Sequence, residues 1–215
     1  LNMKKTKLYI HFFIIIILLF SSCKNFVEEK DVKIFRYNES SGISSLDPIF
    51  SNTKSNIWAV NQLFNGLVDL NENLDVIPSI AKHWKISENN LEYTFFLKND
   101  VYFHNSEYFS NSKNTRKVVA SDFVYSFSRL NDTKNPSPGR WVLDYFANNQ
   151  SFTAINDTIL VVKLKRPFPS LLNILAMKYF SVVPEEVVEN SDFSKTPIGT
   201  GPFMFKYWKD NVKLV

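Results

Sequence analysis

Cys23 is the only cysteine in the chain, so no intrachain disulfide framework can form and the thiol is left for another chemistry. His11, His83 and His104 are scattered, without a cysteine or carboxylate cluster beside them, so no metal site is expected. The five glycines, Gly42, Gly66, Gly139, Gly199 and Gly201, leave no G-x-G-x-x-G fingerprint and no phosphate loop. That removes the common nucleotide-binding readings. A G-x-S-x-G elbow or comparable nucleophile signature is also missing, so neither an enzymatic activity nor a cofactor is expected. Two chemistries remain: modification of one thiol, and binding.

The surroundings of Cys23 decide the first. Met3 opens a basic segment with Lys4, Lys5 and Lys7, followed by the 13-residue apolar run Leu8 to Phe20, interrupted only by His11, and then by Ser21 and Ser22. A charged head, a short apolar stretch and small residues at its end make a secretory signal. The run is shorter than the roughly 20 residues that span a bilayer. Phe20-Ser21-Ser22-Cys23 resembles a lipobox, although Phe20 stands where leucine is usual. The resemblance implies cleavage before Cys23 and acylation of the cysteine, and two or more acyl chains anchor stably where one is marginal. Residues 1–22 are therefore expected to be a lipoprotein signal peptide and 23–32 a tether, with the protein outside the cytoplasm and held to a membrane. Losing Lys4, Lys5 and Lys7 lowers the formal charge from +4 to +1, so no nucleic-acid partner is expected.

The elements that would position a binding site follow from periodicity and breakers. With 215 residues, 45% hydrophobic and 21% charged, the chain reads as globular, and 20 phenylalanines promise an aromatic core. Lys33 to Asn38 alternates like a strand. Val60, Leu63, Phe64 and Leu67 predict a helix over Asn56 to Leu67, capped by Ser55 or Asn56 and stopped near Gly66. Short strands are expected at Leu67–Leu70, Trp84–Ser87, Leu91–Leu97 and Val101–His104; Leu91, Tyr93, Phe95 and Leu97 would share one buried face. Ser106 to Lys117 reads as a surface loop. Asp122 to Leu130 predicts a helix with Phe123, Phe127 and Leu130 on one side, and Trp141 to Phe146 a short one after a Pro-Gly break. A hairpin is expected from Phe152 to Leu164 around Asn156-Asp157. Ser170 can cap a helix through Met177, another lies around Glu185 to Glu189, and a strand is expected at Phe203–Trp208 with a further one starting at Val212. Asp47 is expected to cap or brace the turn at Pro48. Gly199 and Gly201 point to a backbone requirement, either a positive φ or the close approach of a strand.

Several segments in order resemble one family. Ser45-Leu46-Asp47-Pro48, Leu63-Phe64-Asn65-Gly66-Leu67-Val68, Ile77-Pro78-Ser79-Ile80-Ala81-Lys82-His83-Trp84, Tyr93 to Leu97, Val101 to His104, Ala120 to Phe127 and Gly199-Thr200-Gly201-Pro202-Phe203 look like the amino-terminal half of the extracytoplasmic oligopeptide-binding proteins of ABC transporters. Val119 stands where the family often has a capping threonine, so that cap is lost unless Ser121 replaces it. The His/Ser-Asp-Gly turn of the family appears as His104-Asn105-Ser106 with a longer loop.

The resemblance implies an α/β (mixed α+β) fold, two-lobed and of the type II periplasmic-binding-protein kind, here an incomplete first lobe plus an inserted domain. Segments 33–64 and 150–215 would form domain I and 65–149 the inserted domain II. It implies a peptide ligand, delivery to the permease subunits of an ABC transporter, and no catalysis. Asn52, Thr53 and Lys54, shortly after the Leu-Asp-Pro motif, would line the cleft, although the same stretch also reads as a solvated turn leading a helix. Trp141 would wall a side-chain pocket or sit in the core. The same scaffold also serves nickel chelates and sugars, and a truncated product without binding activity is the other alternative.

Overall fold

A computed structural model describes residues 34–147 and 150–215, so Cys23 and the expected signal and tether lie outside the described residues. Residues 39–215 form one compact unit, and residues 34–38, outside that unit, have no regular secondary structure. The strand expected at Lys33–Asn38 is thus not formed across 34–38. A strand needs a ladder partner, and every sheet among the described residues is built from later segments.

The chain enters through a 3-10 turn at Pro48–Phe50 and the helix α1, Lys54–Leu63. α1 starts two residues before the periodicity predicted and ends earlier. The Thr53 hydroxyl, not Ser55 or Asn56, caps it by accepting from the Asn56 N–H at 3.3 Å, and Phe64 turns extended before Gly66 is reached. β1, Val68–Leu70, pairs antiparallel with β2, Val76–Pro78, a strand that the sequence did not announce. β3, Ala81–Ile86, and β4, Glu92–Leu97, follow as an antiparallel pair. The expected strand at Val101–His104 reduces to a single bridge between Tyr102 and Lys117. The Ser106 to Lys117 excursion returns beside Phe103, whose N–H donates to Arg116 O.

α2, Ala120–Ser128, continues into a 3-10 turn at Arg129–Asn131. Val119 at its N-cap has no side-chain acceptor, so only the return half of a capping box forms, with Asp122 Oδ2 accepting from Val119 N–H at 2.8 Å. The short helix expected at Trp141–Phe146 is a 3-10 helix over Pro138–Tyr145, begun by Pro138 and capped by Ser137. The hairpin forms as β5, Phe152–Asn156, and β6, Ile159–Lys163. Then come α3, Leu171–Leu175, without the expected Ser170 side-chain cap, and α4, Glu185–Asn190. Phe203–Trp208 is not a strand: only β7, Trp208–Lys209, pairs with β8, Lys213–Leu214.

The main sheet runs β3-β4-β6-β5, all antiparallel. β4 lies before the division expected at Gln150 and β5 and β6 after it, so the sheet draws on both segments. Tyr93, Phe95 and Leu97 are buried on its inner face as the alternation predicted. α2 and the 3-10 turn after it cover that face with Phe123, Phe127 and Leu130, all fully buried. Phe127 meets Phe152 and Phe180 edge-on at ring-centre distances of 5.0 and 4.9 Å, and Phe146 lies 4.9 Å from Phe152. Such tilted aromatic contacts add to area burial, which explains the use of so many phenylalanines. Among the described residues no helix is long and apolar enough to cross a membrane.

Candidate functional site

The segment after the Leu-Asp-Pro motif is held from below. Asp47 Oδ1 accepts from Ile49 N–H at 3.2 Å, as expected of a turn brace. Its carboxylate also receives both terminal nitrogens of Arg129, at 3.0 and 2.6 Å. This bidentate pair is largely shielded from solvent and ties α2 to the turn 82 residues earlier. Buried Asn56 accepts from Ser44 N–H and donates to Phe50 O, closing the loop from its other end. Between these anchors Asn52, Thr53 and Lys54 are exposed, and Asn52 N–H donates to Phe50 O at 2.9 Å. The structure therefore presents these three side by side on a braced loop, with the Thr53 hydroxyl committed to the α1 cap.

Trp141 is 48% exposed, which removes the reading that it is a core tryptophan. It meets Tyr145 edge-on at 6.4 Å, and Tyr145 stacks on Phe168 at 4.2 Å. Trp141 lines a cavity of about 670 Å3 that includes none of Asn52, Thr53 and Lys54. The two candidate segments still meet at their bases: the Ser137 hydroxyl, at the start of the 3-10 helix that carries Trp141, donates to Ile49 O at 2.5 Å.

The Gly199 to Phe203 segment packs against the end of α1. Gly201 N–H donates to Leu63 O at 2.9 Å and Phe203 N–H to Gln62 O at 3.0 Å, while Asn65 N–H donates to Thr200 Oγ1 at 3.2 Å. A Cβ on Gly199 would lie 2.0 Å from Leu63 O, and one on Gly201 2.5 Å from Gln62 O. Neither glycine has a positive φ, so close approach is the requirement that the sequence left open. His104 closes the other side: its N–H donates to Gly199 O at 2.8 Å and its Nε2 lies 2.9 Å from Gly201 O. Burial lowers the His104 pKa, which keeps the ring neutral at pH 7 with Nε2 as donor. His83 instead stacks on Phe96 at 4.6 Å. No group of three or more His, Cys, Asp and Glu side chains that could hold a metal occurs among the described residues.

A second ionic node escaped the sequence reading. Arg116 donates to both Asp122 oxygens at 2.8 and 2.9 Å and to both Glu186 oxygens at 2.6 and 2.7 Å. Its guanidinium lies 5.0 and 5.6 Å from the rings of Phe103 and Phe109. Burial opposes the Arg116 charge, but the Asp122 and Glu186 hydrogen bonds outweigh it and raise the pKa, and the same bonds lower that of Glu186. One side chain thus joins the long loop, α2 and α4. A burial pattern cannot announce such a node, because arginine in a polar loop reads as solvated.

The model of the bacterial extracellular solute-binding proteins, family 5 (middle region), matches residues 75–215. The periplasmic murein peptide-binding protein MppA of Escherichia coli is 30% identical over 189 residues, covering 80% of this chain and 33% of MppA. Di/tripeptide-binding protein 4 of Pseudomonas aeruginosa is 32% identical over 152 residues, 63% of this chain and 28% of that protein. Among solved structures, the ABC transporter-associated periplasmic binding protein DppA of Helicobacter pylori, in complex with the peptide STSA, superposes with a TM-score of 0.70 at 26% identity, over 80% of this chain and 36% of DppA. The chain spans about a third of the length of the relatives it matches. Its mixed α/β architecture is that of part of the first lobe of a type II periplasmic binding protein. With the family model matched across most of its residues, the chain belongs to the bacterial extracellular solute-binding proteins of family 5.

Proposed function

We propose that this chain is the amino-terminal part of a lipid-anchored binding protein that captures peptides outside the cytoplasm and delivers them to the permease of an ABC importer. The observation that carries the reading is that relatives 30% and 32% identical are named for binding murein peptide and di- or tripeptides. Peptides differ in side chains and share a backbone, so a general receptor pairs main-chain groups with an extended ligand and leaves roomy pockets for side chains. The braced, exposed loop Asn52-Thr53-Lys54 suits the first task, and the cavity beside Trp141 the second. Closure of a second lobe over the ligand would signal loading to the permease.

The division into domain I, 33–64 and 150–215, and an inserted domain II, 65–149, remains part of this reading, with β6 of the first pairing with β4 of the second. Calorimetry of the chain with a mixed peptide pool tests the cargo: heat from peptides is expected, and heat from a sugar or a nickel chelate without any from peptides refutes it. Anchoring rests on Cys23, and Cys23→Ser is expected to release the protein from membranes. Retention after that change would overturn the lipoprotein reading.

A further inference from the structure

The cavity beside Trp141 has a charge character that the family assignment does not supply. Its floor is apolar, with Phe127 and Phe152, and Trp141 forms a wall. Its volume of about 670 Å3 lies within the range typical of small-molecule sites. At the rim stand Arg140 and Lys165, with Asp144 as their only charged companion among the described residues of the lining. None of these three takes part in an ion pair of 4.0 Å or less among the described residues, although Arg116 and Arg129 on neighbouring elements are fully engaged by carboxylates. Two unpaired cations against one carboxylate leave the cavity with an excess positive charge over an aromatic floor. Such a surface complements a group that joins an apolar stem to a carboxylate.

Resting on the peptide reading above, we propose that this cavity receives one side chain of the bound peptide and favours an acidic one, glutamate or aspartate. The stem lies against Trp141 and Phe152 and the carboxylate reaches Arg140 and Lys165. A lysine side chain finds the same apolar wall but meets two like charges, which costs affinity.

The test is titration of the full chain with Ala-Glu-Ala, Ala-Ala-Ala and Ala-Lys-Ala at low and at higher salt. Ala-Glu-Ala is expected to bind about fivefold to tenfold more tightly than Ala-Lys-Ala, with the ratio shrinking as salt screens the rim charges. In Lys165→Glu the order should move toward Ala-Lys-Ala. Lys165 is exposed, and circular dichroism verifies that the variant is folded. Equal affinities for the three peptides, or an unchanged order in Lys165→Glu, overturn the acidic preference while leaving peptide capture in place. If none of the three binds, the peptide reading itself fails, and this inference with it.

Discussion

Gly199→Ala puts a single methyl where the structure has no room. The new Cβ would stand 2.0 Å from Leu63 O and 2.8 Å from Phe64 Cδ1, where ordinary contact begins near 3.4 Å. Relief requires the 199–203 segment to retreat from α1 by more than an ångström. That retreat stretches three hydrogen bonds to the end of α1, Gly201 to Leu63, Phe203 to Gln62 and Asn65 to Thr200, and presses the segment toward His104 on its other side. Each contributes about 1 kcal/mol net, and overpacking alone typically costs about 1–3 kcal/mol. Partial loss of the bonds together with the clash gives an expected destabilisation of about 3 kcal/mol, a large share of the roughly 5–15 kcal/mol that stabilises a domain. Urea unfolding of the full chain followed by tryptophan fluorescence measures it. Gly42→Ala is the matched control, because its Cβ would meet only the Asn211 side chain at 3.4 Å; a change within about 0.5 kcal/mol is expected there. A loss below about 1 kcal/mol for Gly199→Ala, or one equal to that of Gly42→Ala, would refute the close-packing account of this motif.

Arg116→Met should cost about 3 kcal/mol, because it leaves Asp122 buried without its partner. It should also flatten the acid limb of stability. Arg116 holds the folded pKa of Glu186 below its unfolded value, so Glu186 contributes stability above about pH 4.3 that is lost as pH falls through the lowered value. Urea midpoints measured between pH 7 and 3 check both effects, and an unchanged acid slope in the variant would count against the coupling. Asp47→Asn keeps an acceptor for Ile49 but removes the charge facing Arg129, and a fall in Tm of about 5 °C is expected by calorimetry. Thr53→Ala should cost about 1 kcal/mol through the α1 cap, while Asn52→Ala should leave stability within about 0.5 kcal/mol and weaken peptide binding. A destabilised Asn52 variant with full binding would assign that loop to structure alone.

What was legible in the sequence is what depends on near neighbours. The alternation of Tyr93, Phe95 and Leu97 and the helical spacing of Phe123, Phe127 and Leu130 each define a buried face without reference to the rest of the chain. Strand existence is different, because a strand is a ladder and the ladder is nonlocal. Phe203–Trp208 carries strand-forming residues, yet only its last residue, Trp208, joins a ladder; Lys206 and Tyr207 bond to Val215, and Phe203 to Gln62, without extending it into a strand. Conversely Val76–Pro78 is short and ends in proline, and it becomes a strand only because β1 is placed against it. The α1 boundary moved for a related reason. Asn56 looked like a cap, but its side chain is occupied by Ser44 and Phe50, which left the capping to Thr53.

The candidate site shows the same limit one level higher. Residue type marked Asp47 as a brace, which holds, and Gly199 and Gly201 as a backbone requirement, which is close approach to the end of α1 and not a positive φ or a neighbouring strand. The partners were invisible: Arg129 lies 82 residues from Asp47, and the Leu63 carbonyl that crowds Gly199 belongs to a helix at the far end of the chain. These partners give the loop its function-like character, because a loop pinned by Asp47–Arg129 below and by Asn56 above presents Asn52 and Lys54 in one conformation. A loop that is already ordered loses less entropy when an extended ligand pairs with it. If Asn52-Thr53-Lys54 is the cleft loop proposed above, its braces act on affinity as well as on stability. Asp47→Asn should weaken peptide binding beyond what its loss of folded protein explains, and binding measured at a temperature where the variant is fully folded separates the two. Unchanged affinity there would show that the brace serves the fold alone.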